Sequence, residues 1–93
     1  MKSIIQKDTQ CIVCGNYQAE DHHIFFGSAK RKLSEEYGLK VWLCSSHHRG
    51  TYGVHGKKGH VLDMKLKQLG QEAFEYHYPD LDFLKIFGRS YVD

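Results

Sequence analysis

The chain has 93 residues, of which 41% are hydrophobic and 26% are charged, with nine glycines and one proline. This length fits a single domain with a small core, and the composition excludes a disordered or low-complexity chain. The net charge of +2 is unevenly distributed: residues 1–60 carry nine Lys and Arg against five Asp and Glu, and residues 61–93 carry four against six. A basic segment of this kind is typical of proteins that bind a polyanionic partner.

The first half of the chain predicts a turn, two strands and a short helix. A CxxC-Gly turn precedes a strand predicted over residues 17–26. Ser28 is placed to cap a basic helix that ends near Tyr37, followed by a C-terminal Gly38. Residues 39–44 have the β-branched and aromatic character of a second strand.

The second half predicts helices around a glycine-rich loop. A helical turn is predicted to start at Ser45 or Ser46. Glycines recur at every third position over residues 50–59, which predicts a loop or a broken helix. Apolar residues at helical spacing predict an amphipathic helix over residues 61–76, and a second short helix is predicted over residues 81–87.

Four side chains have the spacing of a structural zinc site. Cys11-x2-Cys14 is followed after 29 residues by Cys44-x2-His47, and two such pairs close a tetrahedral site. Bound Zn2+ would contribute about 10–16 kcal/mol of coupled folding energy, which compensates for the small core. The alternative is three buried free cysteines beside a surface histidine.

The cysteine count also predicts the compartment. Three cysteines argue against a closed set of disulfides, and no signal peptide precedes them. No apolar run approaches the roughly 20 residues that span a bilayer. The sequence therefore predicts a chain in a reducing cytoplasm that does not contact a membrane.

Six histidines lie outside this zinc site: His22, His23, His48, His55, His60 and His77. A metal site that performs chemistry keeps positions open for water and substrate. Two or three histidines as ligands and one to move protons would therefore suffice. The alternative for the adjacent pair is one core and one surface histidine, because neighbouring side chains on a strand face opposite sides.

Three features of the sequence resemble the HNH endonucleases of the ββα-metal superfamily: adjacent histidines at the end of a strand, a CxxC turn before them, and LCSSHH at the start of a helix. The chain is also similar to small HNH-type proteins of phages and prophages. This similarity lies in the stretch HHIFFGSAKRKLSEEYGLKVWLCSSHHRG and in the segments GVHG, LDMKLKQLGQEAFE and FLKIFGRSY that follow it. The resemblance implies an α+β fold: a zinc-stabilised ββα-metal domain with C-terminal helices. It implies one domain over residues 1–93, with the zinc knuckles and metal core in 10–60 and a helical extension in 61–93.

The resemblance also implies roles for single residues. His22 would bind a catalytic divalent ion and His23 would be the general base. His48 and His55 would be further ligands, with His60 as the next candidate after His55.

Two points stay open in this assignment. A second register makes Asp21 the ligand and His22 the base. The middle asparagine of the family motif falls on Leu39, so another group, such as a backbone carbonyl, would have to orient His23.

The activity implied by the resemblance is hydrolysis of DNA phosphodiesters with Mg2+ or another divalent ion, in the cytoplasm of a bacterial host. The DNA target would be chosen by a homodimer of this chain, or by a partner protein of recombination or packaging. Two other classes are weighed against it: a non-catalytic zinc-binding adaptor for nucleic acid or protein, and a zinc hydrolase of small molecules. Contacts to the DNA backbone are expected from Lys30, Arg31, Lys32 and Arg49.

The remaining apolar and acidic residues have structural interpretations. Asp63 either orients a ligand histidine or is simply an acidic residue at a helix start. A core is favoured over a base-stacking platform for Trp42, Phe25, Phe26, Leu43, Leu66, Leu69 and Phe74.

Overall fold

The computed structural model describes residues 1–92 as two strands and four helices. In chain order these are β1 (Ala19–His23), α1 (Lys30–Tyr37), β2 (Lys40–Cys44), α2 (Ser45–Arg49), α3 (His60–His77) and α4 (Phe83–Phe87). β1 and β2 form an antiparallel two-stranded sheet, which confirms the α+β class predicted from the sequence. None of these helices is long and apolar enough to cross a membrane.

β1 is shorter than the strand predicted over residues 17–26. Beyond His23 the chain leaves the sheet, because both backbone groups of Phe25 bond to the buried Ser34 hydroxyl of α1. The Phe25 N–H donates to this hydroxyl at 3.0 Å, and the hydroxyl donates to the Phe25 carbonyl at 2.8 Å. The predicted extension of the strand to Phe26 is therefore wrong.

The start of α1 also differs from the prediction. Ala29 occupies the cap position and no side chain caps the helix, so the predicted Ser28 cap is wrong. The helix ends at Gly38 in the left-handed conformation, as predicted.

The two faces of the sheet separate the adjacent histidines. His22 pairs with Val41, and His23 pairs with Lys40. Because directly opposite side chains lie on the same face, His22 shares the inner face with buried Val41. The outer face carries Asp21, His23, Lys40 and Trp42.

The core lies between the chain that follows β1 and helices α3 and α4. The Phe25 ring centroid is 5.4 Å from that of Phe83 and 4.9 Å from that of Phe87. A Cβ on Gly70 would lie 3.0 Å from Phe25 Cε2, so only glycine lets α3 approach this closely without a shift.

The predicted core is confirmed in part. Burial is complete or nearly so for four of the residues: Phe25, Leu43, Leu66 and Phe74. Phe26 and Leu69 are each 37% exposed, so the prediction is wrong for these two. Phe26 has left the strand, and Leu69 lies beside the face of α3 that is set by Leu66, Gly70 and Phe74. Trp42 is partly exposed on the outer face.

Candidate metal centres

The first candidate centre lies where the CxxC turn meets the start of α2. The Cys11 N–H donates to the Asn16 carbonyl at 2.9 Å, and the Gly15 N–H donates to the Cys11 carbonyl at 2.8 Å. These bonds close the turn and bring both of its sulfurs toward Cys44 and His47.

The four predicted zinc ligands converge in this centre. Their donor atoms all lie within 4.8 Å of one another. Cys14 Sγ is 3.7 Å from Cys44 Sγ, and His47 Nδ1 is 3.6 Å from Cys11 Sγ and 3.2 Å from Cys44 Sγ. A regular tetrahedron with zinc–ligand bonds of about 2.3 Å to sulfur and 2.0 Å to nitrogen separates its donors by about 3.5–3.8 Å. The cluster can therefore hold a metal ion, and its geometry is consistent with structural zinc.

The local backbone prepares the sulfur of Cys11 for a metal. Burial opposes ionisation of this thiol, but N–H groups of Cys44, Cys14 and Val13 point at the sulfur and together lower the pKa of Cys11 to about 6. A thiol must lose its proton to bind zinc, so this arrangement favours the ligand form near neutral pH. None of the three cysteines is in a disulfide.

A second cluster joins three histidines from three elements. His22 lies on β1, His48 on α2, and His55 in the loop between α2 and α3. One ring nitrogen from each lies within 4.8 Å of the others, and the ring centroids are 5.0–5.3 Å apart. The structure thus brings together the three residues predicted as ligands of a catalytic ion.

The glycine-rich loop places His55 beside His48. The N–H of Val54 donates to the His47 carbonyl and the N–H of His55 to the His48 carbonyl, both at 3.0 Å. The loop folds back tightly here, and a Cβ on Gly56 or Gly59 would overlap a backbone carbonyl oxygen of the same loop. The glycines therefore allow the loop to fold back against α2.

His22 has the properties of a metal ligand. The residue is only 3% exposed, and its Nε2 is buried without a hydrogen-bond partner in residues 1–92. Burial, and then the nearby charges of His48 and His55, lower the pKa of His22 to about 3. An imidazole that stays neutral and holds an unsatisfied buried nitrogen fits a bound cation.

His48 is oriented by a carboxylate that the sequence analysis missed. Its Nδ1 lies 2.6 Å from Oε1 of Glu20, and because a carboxylate only accepts, Nδ1 carries the proton and Nε2 has the free lone pair. This hydrogen bond lowers the pKa of Glu20, and the nearby guanidinium of Arg49 lowers it further. Carboxylates in this position commonly fix metal-binding histidines. The available signal was the two-residue spacing of Glu20 and His22, which places both on one face of a strand.

His23 is held by Glu35 of α1. His23 Nε2 is 2.8 Å from Glu35 Oε1, and Lys40 Nζ is 3.1 Å from the same oxygen. The other oxygen of Glu35 contacts the amino group of Met1 at 2.5 Å. Leu39, where the family asparagine was expected, is fully buried. A carboxylate from a different element, rather than the suggested backbone carbonyl, therefore orients His23.

The histidine cluster and His23 open into one cleft. A depression of about 230 Å³ is lined by seven residues: Asp21, His22, His23, Phe26, Arg31, His48 and His55. Asp21 is exposed and lies outside the group of converging donors. This placement favours the register with His22 as ligand over the register with Asp21.

The other candidate residues lie in different surroundings. The guanidinium of Arg49 bonds to Glu20, and Arg31 reaches the cleft, whereas Lys30 and Lys32 are elsewhere on α1. His60 and His77, at the two ends of α3, are exposed and belong to neither cluster.

Asp63 lies in the first turn of α3, close enough to His55 for its charge to act on that ring. Burial lowers the pKa of His55, and Asp63 opposes this change. One carboxylate oxygen accepts from Lys67 Nζ at 2.9 Å, and the other is buried without a partner in residues 1–92. Of the two interpretations of Asp63, this position favours interaction with a ligand histidine.

Comparisons with protein-family models, with curated proteins and with solved structures give no match for this chain.

Proposed function

We propose that this protein is a metal-dependent DNA endonuclease of the HNH type, encoded by a phage or prophage, in which one domain holds a structural and a catalytic ion. The observation that carries the proposal is the single cleft that contains three converging imidazoles and, beside them, a fourth histidine held by a carboxylate. The chain runs β1, α1, β2, α2 around this cleft, and the two antiparallel strands followed by the short helix α2 support the ββα-metal resemblance.

The donor set of the second cluster fits a divalent ion. His22, His48 and His55 would supply three nitrogen ligands and leave further positions open to water and phosphate. When bound, the ion would stabilise negative charge on the phosphate and on the leaving oxygen. Imidazole suits Zn2+ and Ni2+, whereas Mg2+ prefers oxygen ligands, so we propose Zn2+ or Ni2+ rather than Mg2+.

His23 is the proposed general base. Because Glu35 accepts from Nε2, the lone pair of the neutral ring is on Nδ1, which can take a proton from the attacking water. The negative charge of Glu35 then stabilises the imidazolium that forms. Glu35 would thus orient His23, which is the role that the resemblance assigns to the missing asparagine.

The charges around the cleft support a phosphate-containing substrate. Arg31 lines the cleft, and α1 carries Lys30 and Lys32 close to it in sequence. Arg49 is partly neutralised by Glu20, yet its side chain is 61% exposed and can still face a phosphate. We propose that these residues contact the DNA backbone without reading its sequence.

The second candidate is a non-catalytic zinc-binding adaptor. The observation in its favour is Leu39, because the asparagine expected from the family motif is replaced by a buried core residue. The adaptor predicts one tightly bound zinc ion per chain and no nuclease activity with any added ion.

Plasmid cleavage separates these candidates. The parent protein is expected to nick or cut DNA only with an added divalent ion, and His23→Ala is expected to lose this activity by about 10²–10⁴-fold. His60→Ala is the matched control, because His60 is exposed and outside both clusters. Unchanged zinc content and circular dichroism would show that His23→Ala is folded. Cleavage by folded His23→Ala at the parent rate would refute the assignment of the base.

A further inference from the structure

A second depression lies on the outer face of the sheet, beside the cleft. Its volume is about 800 Å³, and it lies between β2 and the N-terminal segment. Hydrogen bonds hold this segment in place: Ser3 Oγ donates to the Lys40 carbonyl at 2.5 Å, and the Trp42 N–H donates to Gln6 Oε1 at 2.9 Å. We call this depression the Trp42 groove.

The Trp42 groove combines an aromatic ring with positive charge. Trp42 is partly exposed in it, and three lysines line it: Lys2, Lys7 and Lys40. No carboxylate belongs to the lining, although Glu35 pairs with Lys40 at its edge and Asp21 lies opposite Trp42 in the sheet. Lys2 and Lys7 have no carboxylate within 4.0 Å in residues 1–92. Two exposed cations are therefore available to a polyanion.

Residues that line the Trp42 groove lie next to residues that line the cleft, across the two strands of the sheet. Trp42 and Lys40 are the direct sheet partners of Asp21 and His23, and both of these partners line the cleft. Cross-strand partners have Cβ atoms about 4.5–5.5 Å apart, so a DNA strand that passes over Asp21 in the cleft also reaches Trp42 in the groove.

We propose that the Trp42 groove binds single-stranded DNA, with an unpaired base stacked on Trp42 and neighbouring phosphates on Lys2 and Lys7. A cationic groove with an aromatic platform is the usual means of binding a single strand, because every unpaired base offers its face for stacking. A duplex presents only base edges and phosphates in its grooves. The identity of the polyanion as DNA rests on the proposed function. The substrate would then be a duplex with a single-stranded flap or branch next to the scissile phosphate.

The intrinsic fluorescence of the protein tests this directly, because Trp42 is the one tryptophan of the chain. Titration with a single-stranded oligothymidylate, without added divalent ion, is expected to quench Trp42 emission. The same length of duplex is expected to quench it far less. Replacing Trp42 by Leu should weaken binding of a dye-labelled oligonucleotide by about 5- to 150-fold, and Trp42→Phe should weaken it less. Zinc content and circular dichroism would check that both variants are folded.

Two double variants test the lysines with the same change in charge. Lys2→Gln/Lys7→Gln is expected to reduce the slope of log K against log salt by about 1.4, since a single strand contributes about 0.7 for each phosphate neutralised. Lys57→Gln/Lys58→Gln, on the exposed loop before α3, should change the slope much less.

Three results would refute single-strand binding in the Trp42 groove. These are no quenching by single strands, equal quenching by duplex, or an equal reduction of the salt slope in the two double lysine variants. Cleavage of plasmid without single-strand binding would refute this groove and leave the nuclease. Single-strand binding without cleavage under any added ion would refute the nuclease and leave the groove.

Discussion

Replacing Glu35 by Gln tests whether the carboxylate of α1 substitutes for the missing asparagine. The Glu35 carboxylate accepts from His23 Nε2 at 2.8 Å and would stabilise the ring when it gains a proton. A hydrogen bond to a charged group contributes about 1.5–3 kcal/mol. The Glu35 side chain is 43% exposed, and solvent screening reduces this to about 1–1.5 kcal/mol, which corresponds to about a tenfold lower kcat.

The assay is steady-state cleavage of a labelled DNA at several substrate concentrations. We expect kcat to fall by about tenfold in Glu35→Gln while KM stays constant or decreases, because Lys40 loses its partner and becomes free to bind phosphate. Glu35→Asp should recover part of kcat, since it restores the charge. Glu72→Gln makes the same charge change at an exposed position of α3 and should have no effect on kcat. An equal effect of both Gln variants, or an unchanged kcat in folded Glu35→Gln, would refute the role of Glu35.

Three further changes test the ion sites and the packing. Cys44→Ser removes one ligand of the first centre, and because zinc coordination contributes about 10–16 kcal/mol, the variant should be largely unfolded by circular dichroism; a native spectrum would contradict a structural ion. Glu20→Gln leaves His48 in place but weakens its orientation, so we expect affinity for the second ion to fall by about 10–100-fold in calorimetry, with the first ion retained. Gly70→Ala forces a Cβ to 3.0 Å from Phe25 Cε2 and should lower the free energy of unfolding by about 1–3 kcal/mol, measured in urea; an unchanged midpoint would show that α3 can move away.

The four residues of the first cluster could be predicted from the sequence because paired zinc ligands have a strong local signal. The pairs Cys11-x2-Cys14 and Cys44-x2-His47 require only that two turns meet, and the antiparallel sheet brings them together. The assignment of His22, His48 and His55 depended on the family resemblance. The structure brings their ring nitrogens together, and their role as ligands stays a prediction.

The carboxylate that orients His23, and the position of Phe26, could not be predicted in the same way. Glu35 reaches His23 because Ser34 bonds to Phe25 and fixes α1 beside the strand, and no local pattern marks such a contact. Phe26 was expected in the core for its apolar character, yet the same bonds end the strand before it. Its ring instead lies 5.1 Å from His55, between centroids, as part of the cleft. Long-range packing decided each of these positions.

The most direct test of a separate catalytic ion is cleavage activity measured against the number of ions bound per chain. Protein that holds one zinc ion is titrated with Ni2+, and we expect no cleavage at one ion per chain and a rise in cleavage that saturates when the second ion is bound. His22→Asn should keep the first ion and lose both the second ion and the activity. Full cleavage with one ion per chain, or no binding of a second ion by the parent protein, would refute a separate catalytic ion.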